Sequence, residues 1–227
     1  MKGPDGRAGD VISILLPSRG RPGPLAESIA TLRTLAADPD GLQVLVAADP
    51  DDPATARAAL DMSAVVWVAP LRYGYANLHK YVNRLATMAH GKWLMLWNDD
   101  ARMLTEGWDA VVTDQQPGVL WPHSNDLPGC NTFPIWPAAW TTALGHVSLS
   151  PHCDSWIQHL GDTLGLQRRI PVTVLHDRAD LTGGHDDATR AESAAGYRTT
   201  EFYSPAMQQA RRDDVRALRR MLTPEDR

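Results

Sequence analysis

Cysteines and long apolar runs are scarce in this chain, and their scarcity narrows the kinds of protein it can be. Its 227 residues include only two cysteines, Cys130 and Cys153, with neither the spacing of a metal site nor the density of a secreted disulfide scaffold. Residues 1–9 are polar and glycine-rich without the apolar core of a signal peptide, and no later apolar run approaches transmembrane length. We therefore expect a soluble cytoplasmic protein with reduced thiols and no membrane partner.

An excess of positive charge is also lacking. The formal net charge of −5 argues against a surface that is uniformly basic and coats nucleic acid. A local basic patch would be hidden in that sum, because the C-terminal segment carries five closely spaced arginines: Arg211, Arg212, Arg216, Arg219 and Arg220. Acidic neighbours interrupt this run, so a solvated helix face is the alternative interpretation.

In the first half of the chain, short apolar runs alternate with segments of helical periodicity. The runs predict strands at 11–16, 42–47, 65–68 and 93–97. The segments between them predict amphipathic helices. This alternation is typical of an α/β protein with three layers, in which helices cover both faces of a mostly parallel central sheet.

The pattern is weaker in the second half of the chain. Residues 119–140 are rich in tryptophan and proline, and we expect them to form an irregular wall beside the site rather than to pack regularly against the first sheet. Beyond this stretch we predict a helix over 154–164, a strand over 170–175 that is followed by His176, and a final helix over 205–222.

Three polar loops follow predicted strands, at 18–21, 49–52 and 98–100. In a parallel sheet the ligand site lies beyond the carboxyl ends of the strands, so we expect the loops to meet there. The adjacent carboxylates of Asp99 and Asp100 repel each other unless a cation is bound, and a hard divalent ion that also binds a diphosphate is the usual partner. An acidic turn or a helix N-cap is the alternative interpretation.

The order of these segments resembles the GT-A glycosyltransferases, which take a sugar from a nucleotide-sugar donor. Residues 81–100 are similar to the helix, glycine, strand and Asp-X-Asp segment of that family, and residues 11–21 are similar to its opening strand and Pro-Ser/Thr-basic loop. The acidic turn at 49–52 falls where the family's nucleotide-contacting turn belongs. The resemblance covers the first half of the chain and is to GT-A enzymes of the family-2 type.

The resemblance implies an inverting hexosyltransferase that uses Mn²⁺ or Mg²⁺ and a nucleotide sugar, most readily a UDP-sugar. It assigns the metal to Asp100 and His176, and the catalytic base to Asp154 at the start of the acceptor-side helix. It assigns donor binding to Pro17, Ser18, Arg19, Arg21, Asp49, Asn83, Asn98 and Asp99.

Several of these assignments have alternatives. Asn98 stands where the family usually has an aspartate, so metal affinity could be weaker or Asp99 could take over part of the task. Asp154 could cap its helix instead. The weaker candidates for the base are Asp162 and Asp186, His185 is the substitute for His176, and the acceptor-side candidates are Trp136, His185 and Asp186.

We expect four segments: a flexible lead at 1–9, a donor-binding half at 10–110, an acceptor-binding half at 111–200 and a helical extension at 201–227. The sequence does not distinguish between two kinds of acceptor, a protein or glycan hydroxyl and a hydroxymethylated DNA base. The DNA base is considered because compact bacteriophage glycosyltransferases, which work in the host cytoplasm, are similar in size and motif order.

Two other classes of protein compete with this interpretation. A non-catalytic module that binds a nucleotide or sugar with a degenerate glycosyltransferase fold is suggested by Asn98. A dinucleotide-binding oxidoreductase is disfavoured, because no Gly-x-Gly-x-x-Gly sequence follows the first strand.

Overall fold

The strands and helices of the computed structural model follow the predicted alternation. It describes residues 12–126, 128–182, 191–192 and 202–223. The strands are β1 (Ile12–Pro17), β2 (Leu42–Ala48), β3 (Val65–Val68), β4 (Trp93–Leu96), β5 (Ala101–Met103), β6 (Val119–Ser124), β7 (Ile135–Pro137) and β8 (Gln167–His176). The helices are α1 (Pro22–Thr34), α2 (Pro53–Asp61), α3 (Leu78–Met88), α4 (Trp108–Thr113), α5 (Ala138–Leu144), α6 (Cys153–Leu164), α7 (Ala179–Thr182) and α8 (Pro205–Leu222).

These strands form one mixed sheet in the order β3-β2-β1-β4-β7-β6-β8-β5. The parallel pairs are β1 with β2 and β4, β2 with β3, and β6 with β8. Strand β7 runs antiparallel to β4 and β6, and β5 runs antiparallel to β8. The prediction of an α/β fold with a mostly parallel sheet is confirmed.

The two faces of the sheet are covered by different helices, because successive side chains of a strand point to opposite faces. In β1, Ile14 and Leu16 belong to one apolar cluster and Leu15 belongs to another. Helices α1, α2 and α4 contribute to the first cluster, and α3, α5, α6 and α8 contribute to the second. No helix in the described parts of the chain has the length and apolar character needed to cross a membrane.

The expectation of an irregular wall at 119–140 was wrong for β6 and β7, whereas the described residues between these two strands form no strand or helix. Strands β6 and β7 extend the sheet, and Trp136 pairs with Leu94 of β4. The prolines are accommodated because Pro122 lies at an irregularity between Trp121 and His123, and Pro137 ends β7. Pro122 and Pro137 therefore mark a bulge and a strand end within one continuous sheet.

The final helix packs against the second apolar cluster. The indole of Trp156 donates a hydrogen bond to Asp214 at 2.8 Å, which joins α6 to α8. Arg211 is only 4% exposed, donates to the carbonyl of Phe202 at 2.8 Å and lies 3.9 Å from the centre of that ring. Arg211 is therefore removed from any basic surface patch on this helix.

Gly161 lies where α6 packs closely against β6, and it provides a test of this packing. A Cβ at this position would lie 2.7 Å from Cβ of Val119. Because both atoms would belong to regular elements, we expect Gly161→Ala to lower the free energy of unfolding by about 1–3 kcal/mol, measured by urea denaturation. Gly23→Ala in α1 is the control, because its Cβ would meet nothing within 4 Å. An equal loss in both variants would contradict the packing argument.

Candidate active site

Two of the polar loops meet beyond the carboxyl ends of β1 and β4, which are neighbouring parallel strands. The hydroxyl of Ser18 donates to Asp99 at 2.7 Å. One guanidinium nitrogen of Arg21 donates to Asp99 at 3.1 Å and to Asp100 at 2.9 Å. These residues line a cavity of about 320 Å³. The prediction that polar loops gather at this edge of the sheet is confirmed.

The two neighbouring aspartates differ in their electrostatic surroundings. Burial raises the pKa of Asp99 to about 6, and the nearby charge of Asp100 adds to this effect. Burial also favours the neutral form of Asp100, but the hydrogen bond to His176 and the charges of His176 and Arg21 together outweigh it, so the pKa of Asp100 is lowered. Asp100 is thus the carboxylate that stays ionised most readily.

His176 is the last residue of β8, and strand pairing with Ala101 of β5 places it next to Asp100. Its Nε2 lies 3.2 Å from Oδ1 of Asp100, and its Nδ1 lies 2.8 Å from Oδ1 of Asp126. Sequence reasoning missed Asp126. The signal was available, because the polar residues 124–126 form the end of β6 and the turn that follows it, at the same edge of the sheet.

The two carboxylates also set the charge of His176. Burial alone would lower its pKa, but the hydrogen bonds to Asp100 and Asp126 and the charges of these carboxylates together outweigh burial and raise the pKa to about 9. A raised pKa in the folded state means that the charged ring stabilises the fold below its unfolded pKa of 6.5, and that this stabilisation is lost as the pH rises through about 9.

We therefore expect a pH-dependent difference in stability between the wild-type protein and His176→Gln. The stabilisation due to His176 should fall by up to about 3 kcal/mol as the pH rises across this window. Urea denaturation of both proteins at several pH values measures it. Parallel pH dependences of the free energy of unfolding would contradict the assignment.

The acidic loop after β2 forms the other end of the cavity. Asp49 is buried, accepts a hydrogen bond from the hydroxyl of Tyr81 and accepts another from Arg19 at 2.9 Å. Arg19 also donates to Asp51 at 2.6 Å. Burial and the hydrogen bond to Asp49 raise the pKa of Tyr81 to about 12, so its phenol stays a donor. Asp49 is thereby held as a fixed acceptor at the cavity wall.

Asp154 lies in the first turn of α6 and lines the same cavity. The N-cap residue of this helix is His152, so Asp154 is not its cap. One carboxylate oxygen accepts from the backbone N–H of Ser155 at 2.7 Å. Burial nevertheless raises the pKa of Asp154, which makes this carboxylate more basic than an exposed one.

Most of the predicted site residues are brought together by the fold. The cavity is lined by Pro17, Ser18, Arg19, Arg21, Asp49, Asn98, Asp99, Asp100, Asp154 and His176. Residues that sequence reasoning did not assign to the site also line it: Tyr75, Tyr81, Thr132, Arg178, Asp180 and Glu192. His185 and Asp186 lie outside the described residues.

Two predicted site residues are placed elsewhere. The amide of Asn83 donates to the carbonyl of Ser148 at 2.8 Å and accepts from the N–H of Val147 at 2.8 Å, so it ties α3 to the loop before α6. The cavity faces Leu78 and Tyr81 on α3, and Asn83 points to another side of the helix. Trp136 is fully buried because β7 is an inner strand of the sheet.

Asp100 and His176 together fit a divalent cation as a two-ligand site. A carboxylate oxygen and an imidazole nitrogen, 3.2 Å apart at the cavity wall, are suitable ligands for Mn²⁺ and Mg²⁺. In the described residues no group of three or more His, Cys, Asp or Glu side chains is arranged to hold a metal. Such an ion would need further oxygens, as Mg²⁺ does when it binds with a substrate phosphate.

No protein-family model matches the chain, and no curated protein matches its sequence. Solved structures match its fold. Staphylococcus aureus TarS is 12% identical, with a TM-score of 0.59 over 74% of this chain and 37% of TarS. The Pyrobaculum calidifontis mannosyltransferase PcManGT, solved with GDP-Man and Mn²⁺, is 12% identical, with a TM-score of 0.57 over 94% of this chain and 76% of that enzyme.

Glucosyl-3-phosphoglycerate synthase from Mycobacterium tuberculosis, solved with phosphoglyceric acid, is 12% identical, with a TM-score of 0.62 over 96% of this chain and 82% of that enzyme. The chain spans 60% of a TarS fragment, residues 1–349, that was solved with UDP. At these identities the likeness establishes the fold. The chain has the GT-A fold of nucleotide-sugar glycosyltransferases, as the resemblance of its first half implied.

Proposed function

We propose that this chain is a metal-dependent glycosyltransferase that moves a hexose from a nucleotide sugar, most readily a UDP-sugar, to a hydroxyl acceptor with inversion. The observation that carries the proposal is the convergence of Asp100, His176 and Asp154 on one cavity. Solved structures of the same fold hold UDP with Mg²⁺ or GDP-Man with Mn²⁺, which supports this choice of donor and cation.

The donor would lie along the edge of the sheet between the loop after β2 and the loop after β4. Asp49 and Arg19 would contact the nucleoside, and Arg21 would contact the diphosphate once it is no longer needed to neutralise the aspartates. A divalent cation bound by Asp100 and His176 would stabilise the charge of the departing nucleoside diphosphate. Asn98, Asp99 and Ser18 would complete this side of the cavity.

Asp154 would serve as the general base on the acceptor side. It would accept the proton of the acceptor hydroxyl while that oxygen bonds to the anomeric carbon and the bond from this carbon to the diphosphate breaks. A carboxylate whose pKa is raised by burial suits proton abstraction near neutral pH. Asp162 is a poor alternative, because it is exposed and accepts a hydrogen bond from Gln167 at 2.6 Å.

In this proposal residues 10–110 bind the donor and residues 111–200 bind the acceptor, which is a protein or glycan hydroxyl or a hydroxymethylated DNA base. The exposed arginines of α8 do not favour DNA. Among the five arginines of this segment, Arg211 is buried and Arg216 forms an ion pair with Asp213, so these two are not directed at a phosphate. A DNA acceptor would imply a phage-type enzyme and salt-sensitive duplex binding.

A thermal-shift screen tests the proposal. The purified chain is heated with UDP-, GDP-, ADP- and dTDP-sugars, each with and without Mn²⁺, because a ligand that binds only the folded state raises its apparent stability. We expect the sugars of one nucleotide to raise the Tm in a metal-dependent manner. In a separate activity assay we expect the protein to hydrolyse that donor or to transfer its sugar. An unchanged Tm throughout the panel would contradict the proposal.

A non-catalytic nucleotide-binding module is the second candidate function. It is favoured by Asn98, whose amide replaces a charged ligand and lies 3.3 Å from Nε2 of His176. Binding of a nucleotide sugar without hydrolysis or transfer of the sugar would support this module over the enzyme.

A further inference from the structure

We propose that Asp126 is a positioning residue that holds the imidazole of His176 in the orientation and tautomer required to bind a divalent cation. The inference rests on the proposed function. Asp126 lies just beyond β6, 50 residues from His176 in sequence, and its carboxylate accepts a hydrogen bond from Nδ1 of the ring at 2.8 Å. Side chains of both residues are almost fully buried, at 5% and 4% exposure.

The hydrogen bond to Nδ1 determines which ring nitrogen is free for a metal. When Nδ1 carries the proton and donates it to Asp126, the lone pair of the neutral ring lies on Nε2. This nitrogen is the one beside Asp100, 3.2 Å from its carboxylate, at the cavity. A carboxylate behind a metal-binding histidine commonly fixes the tautomer in this way and raises the basicity of the ligand.

The backbone around the histidine is fixed as well. Asn125 donates to the carbonyl of His176 at 3.0 Å and accepts from its N–H at 2.7 Å. The ring of Phe133 packs edge-on against the imidazole at 5.2 Å between ring centres. These contacts fix the backbone of the histidine and one side of its ring, and Asp126 completes the orientation of the ring and selects its tautomer.

Asp126 is itself anchored. Ser124 donates to the carboxylate oxygen that does not contact His176, at 3.1 Å, and Thr132 also hydrogen-bonds to this carboxylate. An aspartate that merely neutralised a buried charge would not need a hydrogen-bond partner on each of its two carboxylate oxygens. The arrangement is a chain of polar contacts from β6 through the histidine to Asp100 at the cavity.

This chain of polar contacts predicts that different substitutions of Asp126 weaken metal binding to different extents. We expect Asp126→Ala to weaken Mn²⁺ binding by roughly 10- to 100-fold, because the ring loses the acceptor that fixes its tautomer. Asp126→Asn keeps an oxygen that can accept from Nδ1–H, so its loss should be smaller. Asp61→Ala is the control for charge, since Asp61 is exposed on α2 and pairs with Arg57.

Mn²⁺ affinity is measured by the electron paramagnetic resonance of free Mn²⁺, with the ion alone and with UDP or GDP. The tautomer of His176 is read from ¹⁵N shifts of histidine-labelled protein, with diamagnetic Mg²⁺ in place of Mn²⁺. In wild-type protein saturated with Mg²⁺ we expect a proton on Nδ1 and none on Nε2, and in Asp126→Ala at the same Mg²⁺ concentration we expect a mixture of tautomers. Urea denaturation reports the stability of each variant.

The outcomes separate this inference from the proposed function. If the wild-type protein binds Mn²⁺ and Asp126→Ala binds it equally well with an unchanged tautomer, the positioning role is overturned while the proposed function stands. A loss of Mn²⁺ affinity that is equal in the Ala and Asn variants and follows stability alone also overturns it. If Asp126→Ala does not fold, the Mn²⁺ affinity of Asp126→Asn is the test. Several-fold weaker Mn²⁺ binding than in the wild-type protein supports the inference, and unchanged binding overturns it. Wild-type protein that binds no Mn²⁺ overturns both proposals.

Discussion

Asp154→Asn is expected to lower kcat roughly 1000-fold while the nucleotide sugar and Mn²⁺ still bind, because general-base catalysis contributes about 100- to 10,000-fold. An asparagine preserves the shape of the side chain in the first turn of α6 but cannot accept the acceptor's proton. Initial rates with the donor found in the thermal-shift screen measure kcat, and the Tm shift of the variant with that donor measures binding.

The matched control for this variant is Asp162→Asn on the same helix. Asp162 is exposed and hydrogen-bonded to Gln167, so its replacement changes the charge of α6 equally without touching the cavity. We expect full activity from it. Equal activity of Asp154→Asn and the wild-type protein would rule out Asp154 as the base.

The pH profile adds a second criterion for Asp154. The carboxylate is the active form, so kcat/KM should fall as the pH drops through its pKa. An exposed aspartate titrates at about pH 4. Because burial raises the pKa of Asp154, the fall in kcat/KM should begin at a higher pH than this. Asp154→Asn should lose this acidic limb. A limb that is unchanged in the variant would assign it to another group.

Asp100→Ala is expected to lower kcat/KM by about 1000-fold or more and to abolish the metal-dependent part of the Tm shift. The cation is expected to supply several kcal/mol of leaving-group stabilisation, and each 1.36 kcal/mol corresponds to about tenfold in rate. Asp100 is the carboxylate that lies next to His176, so its loss would leave the histidine without a partner ligand. Transfer rates and Mn²⁺ titrations of the variant measure both effects.

Asp99→Asn provides the internal comparison, because the Asp99 carboxylate is directed to Ser18 and Arg21. We expect a smaller loss of activity and retained metal dependence. If Asp99→Asn instead loses the metal effect while Asp100→Ala keeps it, the metal ligand is Asp99. This result would also show that Asp99 supplies the charged metal ligand that Asn98 lacks.

The elements that border the donor side were predictable from sequence because local patterns encode them. The apolar runs of β1, β2 and β4 each end where polar residues begin, so the position of the loops at 18–21, 49–52 and 98–100 followed directly. Gly165, with a φ of +68°, ends α6 in the left-handed region that glycine adopts most easily. Strand ends and helix ends of this kind depend on neighbouring residues in the chain.

Strand order and helix rotation, in contrast, depend on partners far away in sequence. Trp136 was predicted to lie in an irregular stretch beside the site, yet pairing of β7 with β4 buries it. Asn83 lies within the segment that resembles the family, but the face of α3 that meets the cavity is the one with Leu78 and Tyr81.

Local sequence patterns specify the alternation of strands and helices, the polar strand ends and the acidic pair, since each is encoded in a few consecutive residues. The connected group of Asp126, His176 and Asp100 forms only when the chain is folded. Their proximity arises because β8 pairs with both β6 and β5, which brings together side chains that local periodicity does not relate.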